Sequence, residues 1–343
     1  MQAVVTCLVT VLVLAAVLEV TLRVIERRPD RKPARTEGAR FLTCERDSVL
    51  GWVFPPSAQG PYRSDRHPTD VHTNELGIRS RSIDSGAQSV RVLVLGDSYA
   101  FGWGVPEEDA FPRQLESMMR GRFRSVPIEV INAGVPGYGL YQQHAMLLRV
   151  LSVTEIDIVV STFSLANDAV DDLRIGRYAP DRLTEYLPGL TERSPFLNGM
   201  MKRSRLLNML DRRTHALRFQ LANASEEALG ATSRSMDTLL QTCAERGIRI
   251  VCVTVPHRSE IVAGSLKARI ALAQSARARR LQASLAERYG VPLVDVNDAL
   301  SEAQKTEEVY VLNDPHWTPA GHRAVAKALL EALPEEWLVG PSP

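Results

Sequence analysis

Five short runs, Val90 to Leu95, Pro127 to Ala133, Asp157 to Ser164, Ile248 to Val255 and Val291 to Val296, constrain this chain more than any other feature. Each is β-branched and apolar almost throughout, without the alternation of a strand that wets one face. That is the pattern of parallel strands covered by helices on both sides. Helical periodicity fills the intervals, at about Ala110 to Arg122, Tyr141 to Leu151, Ser233 to Arg246, Leu266 to Tyr289 and Pro319 to Leu333. In the last of these, Thr318 and Pro319 read as an N-cap and first helical residue, and Val325, Ala328, Leu329 and Ala332 share one face. Strands alternating with helices predict an α/β fold with an open parallel sheet.

The alternation occupies residues 90–337 and is interrupted at about 171–230. There Leu206, Leu210, Leu217 and Leu221 recur at helical spacing with arginines between them, which reads as a helical insertion packed on the domain, with a lid or membrane-contacting helix as the alternative. Residues 41–89, with "SVLGWVFPP" and "HTNELGIRS", read as an irregular or β-containing lead-in. Residues 26–40, charged and proline-bearing, read as a linker. Ahead of it nothing is charged from Ala3 to Leu18, so residues 1–25 are expected to form a transmembrane or signal-anchor segment that puts the chain in contact with a membrane. The basic flank Arg23, Arg27, Arg28, Arg31, Lys32 and Arg35 predicts that the following domain stays cytoplasmic.

Lys and Arg total 41 against 40 for Asp and Glu, so there is no positive field to favour nucleic acid, which is not expected as a partner. The four cysteines, Cys7, Cys44, Cys243 and Cys252, form neither a CxxC pair nor a Cys/His metal spacing, and no metal or cofactor is expected.

Ligands of open α/β sheets bind beyond the carboxyl ends of the strands. Four such ends carry chemistry: "GDSYAFGWGV" (96–105), "NAGVPGYG" (132–139), "SLANDAVDD" (164–172) and "NDPHWTPAGH" (313–322). Singly each has a bland reading as an N-cap, a glycine turn, an Asx turn or a surface histidine. Together they bring a serine, oxyanion donors and a carboxylate–histidine pair to one edge of one sheet, the constellation of nucleophilic acyl transfer. His316 would take the proton of Ser98 as it attacks an ester carbonyl, and Asp314 would fix the imidazole tautomer. Trp103, Tyr138 and Trp317 flank these positions and are candidates for an apolar or sugar-stacking wall. His322 reads as structural.

In order and spacing the four blocks resemble those of the SGNH or GDSL hydrolases, across nearly all of Val90 to Leu333. The resemblance implies a flavodoxin-like three-layer α/β/α fold and ester hydrolysis, with Ser98 as nucleophile and His316 as general base. It also implies an oxyanion hole made by the N–H groups of Ser98 and Gly137 and the side-chain amide of Asn167. The commonest last block is Asp-x-x-His, whereas Asn313 stands at that acid position here and Asp314 is two residues before His316. The Asp-x-His-Trp form resembles the alginate O-acetyltransferase branch. The lead-in resembles that of bacterial members with an N-terminal membrane segment, which implies an extracytoplasmic domain, against the charge flank. Expected substrates are carboxylic esters, with O-acyl groups on carbohydrate as one class. A carbohydrate O-acyltransferase and a non-catalytic membrane-anchored binding module are the competing readings.

Overall fold

The computed structural model describes residues 2–26, 42–62, 69–83, 89–175, 204–206, 209, 221–262, 266–312 and 314–339. The chain divides into two compact units, one of residues 1–39 with 182–221, the other of residues 40–181 with 222–343. The expected linker 26–40 lies almost wholly outside the described residues, as do Leu210 and Leu217 of the leucine pattern and Asn313.

In the first unit, α1 (Gln2–Glu26) is a single 25-residue helix. The carboxylate of Glu19 accepts from Ser204 Oγ at 2.9 Å and from the N–H groups of Arg205 at 3.0 Å and Leu206 at 2.8 Å. It thereby satisfies amide donors at a helical turn that starts there. Among the described residues, no helix is long and apolar enough to cross a membrane.

The second unit holds the sheet. Its strands are β5 (Val90–Leu95), β6 (Ile128–Asn132), β7 (Ile158–Ser164), β8 (Arg249–Val255) and β9 (Leu293–Asp295), all parallel, in the order β6-β5-β7-β8-β9. The period of two explains the layers. Val92 and Val94 face a core shared with Leu115 and Met119 of α3 (Phe111–Arg122) and Val325 and Leu329 of α10 (Pro319–Ala332). Leu93 and Leu95 face the opposite core with Met146 and Leu147 of α4 (Leu140–Leu151) and Leu239 and Leu240 of α6 (Glu226–Glu245). The expected α/β architecture with a parallel sheet is the observed one. The edge strand β9 is only three residues long, because only Leu293 to Asp295 pair with β8. Helix α6 starts seven residues before the expected Ser233. Ser225 caps it by accepting the Ala228 N–H, and Ala228 and Leu229 are buried, which outweighs the breaking tendency of Gly230.

Residues 42–62 and 69–83 carry more regular structure than their composition suggests. Two antiparallel ribbons form, β1 (Glu45–Asp47) with β2 (Gly51–Val53) and β3 (Gln59–Tyr62) with β4 (Thr69–His72). Leu50, Phe54, Val71 and Ile78 join the core on the α4/α6 side, so this segment is part of the same packed unit.

Candidate active site

Strand β5 ends at Leu95, and Gly96 and Asp97 turn the chain into α2 (Ser98–Phe101). Asp97 caps this short helix, its Oδ1 accepting the Tyr99 N–H at 2.9 Å. Ser98 is thus the first helical residue, half-buried, with its N–H among those that have no partner within a helix. The last block supplies the other groups from 218 residues away. Tyr310 and Trp317 pair across an antiparallel bridge, Val311 N–H bonds to His316 O, and the Tyr99 hydroxyl donates to Pro315 O at 2.9 Å. Within that loop, Asp314 Oδ1 accepts from the backbone N–H of His316 at 2.9 Å and faces its Nδ1 at 2.6 Å. His316 Nε2 lies 2.8 Å from Ser98 Oγ. An ionised carboxylate only accepts, so Nδ1 carries the ring proton and Nε2 accepts from the serine hydroxyl. Ser98, His316 and Asp314 form one continuous hydrogen-bonded line.

The turn after β6 packs on α2 because Gly134 has no side chain. A Cβ there would lie 2.4 Å from the backbone nitrogen of Phe101. Gly137 adopts φ +83°, and a Cβ on it would press against the ring of Trp52 at 3.1 Å. Trp52 comes from β2; its indole donates to Pro136 O at 3.1 Å, and the Tyr138 hydroxyl donates to Trp52 O at 2.5 Å. The loop that carries Gly137 is therefore held from outside the sheet.

Of the three aromatic residues expected to face substrate, two do not. Tyr138 and Trp317 are fully buried, the first against Trp52, the second among Tyr99, Phe111 and His322. This corrects their assignment to a stacking wall: both rings spend their faces on the framework. Trp103 is half-buried and stacks on His316, with Tyr62 of β3 set edge-on against it.

Asn167 sits among carboxylates. Its Nδ2 donates to Asp171 at 2.8 Å, Asp168 at 3.2 Å and Asp97 at 3.3 Å, while its Oδ1 accepts from Ser164 Oγ at 2.7 Å. The amide lies beside the Ser98 turn through Asp97, with its hydrogens directed at carboxylates. Burial pushes the carboxyls of Asp97 and Asp168 up from their ordinary range, and for Asp168 the neighbouring Asp97 adds to the rise. Asp172 is raised to about 7, chiefly by burial, although its carboxylate accepts from Thr232 Oγ1 and the Tyr141 N–H.

Sequence reasoning missed Arg79. It is fully buried, and its guanidinium donates to the carbonyls of Phe101 at 2.9 Å, Gly102 at 2.8 Å and Val105 at 2.9 Å. A cation there meets buried carbonyls at and just beyond the end of α2 and fixes the turn that carries Trp103. Burial lowers the Arg79 pKa to about 10. His322 is buried as well, its Nδ1 accepting the Phe111 N–H at 3.2 Å and its pKa lowered to about 3 by burial, so it is a neutral packing group. Among the described residues no group of three or more His, Cys, Asp or Glu side chains is arranged to hold a metal ion.

Residues 94–324, which begin inside β5 and end beyond His316, match the GDSL-like lipase/acylhydrolase family. The chain belongs to that family. This GDSL-like hydrolase is accordingly an ester hydrolase on an α/β fold. Similar solved structures include an acetylxylan esterase from Geobacillus stearothermophilus (15% identity, 75% of this chain and 100% of that one, TM-score 0.45). Another is a putative lipolytic protein of the G-D-S-L family from Desulfitobacterium hafniense (12%, 71% and 100%, 0.45). A third is the α/β hydrolase enzyme LAE5 from the metagenome of Lake Arreo (15%, 73% and 96%, 0.45). No curated protein matches the GDSL-like hydrolase.

Proposed function

We propose that the GDSL-like hydrolase cleaves carboxylic esters through an acyl-enzyme on Ser98. The observation that carries this reading is the Ser98–His316–Asp314 line, at 2.8 and 2.6 Å. His316 Nε2 takes the hydroxyl proton as Oγ attacks the ester carbonyl, and Asp314 stabilises the imidazolium and keeps Nε2 facing the serine. The proton then passes to the leaving alcohol. Water, deprotonated by His316, releases the acid in the second half-reaction. The negative charge on the carbonyl oxygen falls to the N–H groups of Ser98 and Gly137, with the Asn167 amide as a third donor once the oxygen competes with Asp171 for its hydrogens. Ser98→Ala is expected to abolish cleavage of a small ester with little change in melting temperature; turnover retained in that variant rejects the reading.

Within this scheme O-acyl groups on carbohydrate are the proposed substrates, supported by the half-buried indole of Trp103 directly over the reacting histidine, a surface on which a sugar ring can stack. Transfer to a sugar hydroxyl in place of water uses the same residues and is supported by the Asp-x-His-Trp form of the last block. Acyl release that accelerates on adding a carbohydrate acceptor, with the acylated sugar as product, distinguishes transfer from hydrolysis.

We also propose that α1 attaches the protein to a membrane. No charged residue occurs from Ala3 to Leu18, and Val5, Val9, Val13, Leu14 and Val17 are exposed. Removing the residues before Phe41 should release a protein that still cleaves a small ester. A folded but inactive product would place the segment in the site.

A further inference from the structure

The amino ends of β5 and β6 carry a cavity of about 520 Å³, built from side chains that the ester chemistry does not use. Ser89, one residue before β5, lies on its wall, while Ser98 follows the other end of that strand. A six-residue strand rising ~3.3 Å per residue separates the two sites by roughly 20 Å.

Four guanidinium groups line this cavity: Arg81 from the lead-in, Arg113 and Arg120 from one face of α3, and Arg124 just beyond that helix. Two carboxylates share the wall, and both are already engaged. Glu116 accepts from Arg113 at 2.9 Å and Arg120 at 2.9 Å, with Arg81 at 3.6 Å, and Glu129 pairs with Arg91 at 3.3 Å. Positive charge therefore remains after pairing among the described residues. Two residues of the wall also carry a polar atom that is buried and unpartnered. Arg113 uses Nε on Glu107 and Nη1 on Glu116, while its Nη2 is buried with no hydrogen-bond partner; Ser89 Oγ is likewise buried and unpartnered. Buried polar groups are rarely left so, and each such group calls for a partner.

Guanidinium groups in excess of carboxylates fit a tetrahedral oxyanion, which accepts several charge-assisted hydrogen bonds at once. A single inorganic ion would leave most of the volume unfilled, whereas a cavity in the range typical of small-molecule sites takes a ligand with an organic part. We propose that this cavity binds a small soluble phosphomonoester, with its dianionic phosphoryl group against Arg81, Arg113, Arg120 and Arg124, and that the site is separate from the ester-cleaving centre.

The test is calorimetric titration of the full chain, at fixed ionic strength, with sn-glycerol 3-phosphate and with inorganic phosphate, against chloride as control. Wild type is expected to show saturable binding of both, tighter for the ester. Arg81 and Arg124 are exposed and stand outside the catalytic groups, so the double variant R81Q/R124Q should fold, cleave ester at the wild-type rate and bind glycerol phosphate at least tenfold more weakly. Ser98→Ala should bind it as wild type does. Absence of saturable heat with either probe, equal binding by wild type and R81Q/R124Q, or loss of binding in Ser98→Ala overturns the proposal.

Discussion

The indole of Trp103 lies over the imidazole of His316, with ring centroids 5.2 Å apart and planes 18° from parallel. Asp314 fixes one edge of the imidazole, and the indole limits its tilt, so the nitrogen that faces Ser98 is held by two independent contacts. A stacked aromatic pair contributes about 0.5–1.5 kcal/mol beyond area burial. Trp103→Ala should therefore lower kcat by about two- to tenfold, with Trp103→Phe recovering most of the loss. Steady-state rates measured beside melting curves decide it; wild-type kcat in a folded Trp103→Ala enzyme means that the stack does not position the base.

Asp314 tests the unusual spacing of the last block. Asp314→Asn keeps the size of the side chain, but its amide can donate to Nδ1 and so favour the tautomer whose Nε2 bears the proton and cannot accept from Ser98. Turnover should fall by about 10⁴-fold with the fold retained, as for other triads whose acid is amidated. Near-normal turnover would leave Ser98 and His316 working as a dyad.

Stability should rise as the solution is acidified from pH 7.5 towards 5, in proportion to the contribution of Asp172. Its carboxyl has a folded-state pKa of about 7 against an ordinary value of 3.8. Between these values the native protein binds the proton more tightly than the unfolded chain does. Stability therefore falls as pH rises through this window, by up to about 1.4 kcal/mol per pH unit for one group. Asp97 and Asp168 are raised in the same direction and add to the slope. Asp172→Asn should flatten the curve of unfolding free energy against pH. An unchanged slope in urea titrations at pH 5, 6 and 7.5 would remove Asp172 as a contributor.

Arg79→Met should cost about 3 kcal/mol, since it leaves the carbonyls of Phe101, Gly102 and Val105 without their charged donor inside the core. It should also lower kcat, because the turn it releases carries Trp103. Chemical denaturation supplies the first readout and ester turnover the second. A variant as stable as wild type would show that water replaces the guanidinium.

Periodicity was enough to read the five strands and most of the helices, because a strand dry on both faces and a helix dry on one leave local signatures. It located β5, with the bounds Val90–Leu95, and helix α8, Leu266–Tyr289. The motif residues Ser98, Asp314 and His316 were legible too, since reactive types recur at the ends of such strands, and the tertiary structure then joined them across 218 positions. Local pattern says which face of an element is dry, not which other element dries it. Hence the sequence offered no means of separating Trp103, left half-open above the histidine, from Tyr138 and Trp317, sealed in the framework. Trp52 meets the Gly137 loop 84 residues along the chain, and Arg79 finds carbonyls 22 to 26 residues away. The carboxylates around Asn167 and the arginines around the cavity at the amino ends of β5 and β6 acquire their meaning in the same way. Charge and hydrogen-bonding capacity are written residue by residue, but whether a partner, a neighbour of like charge or water meets them is fixed by packing between distant segments.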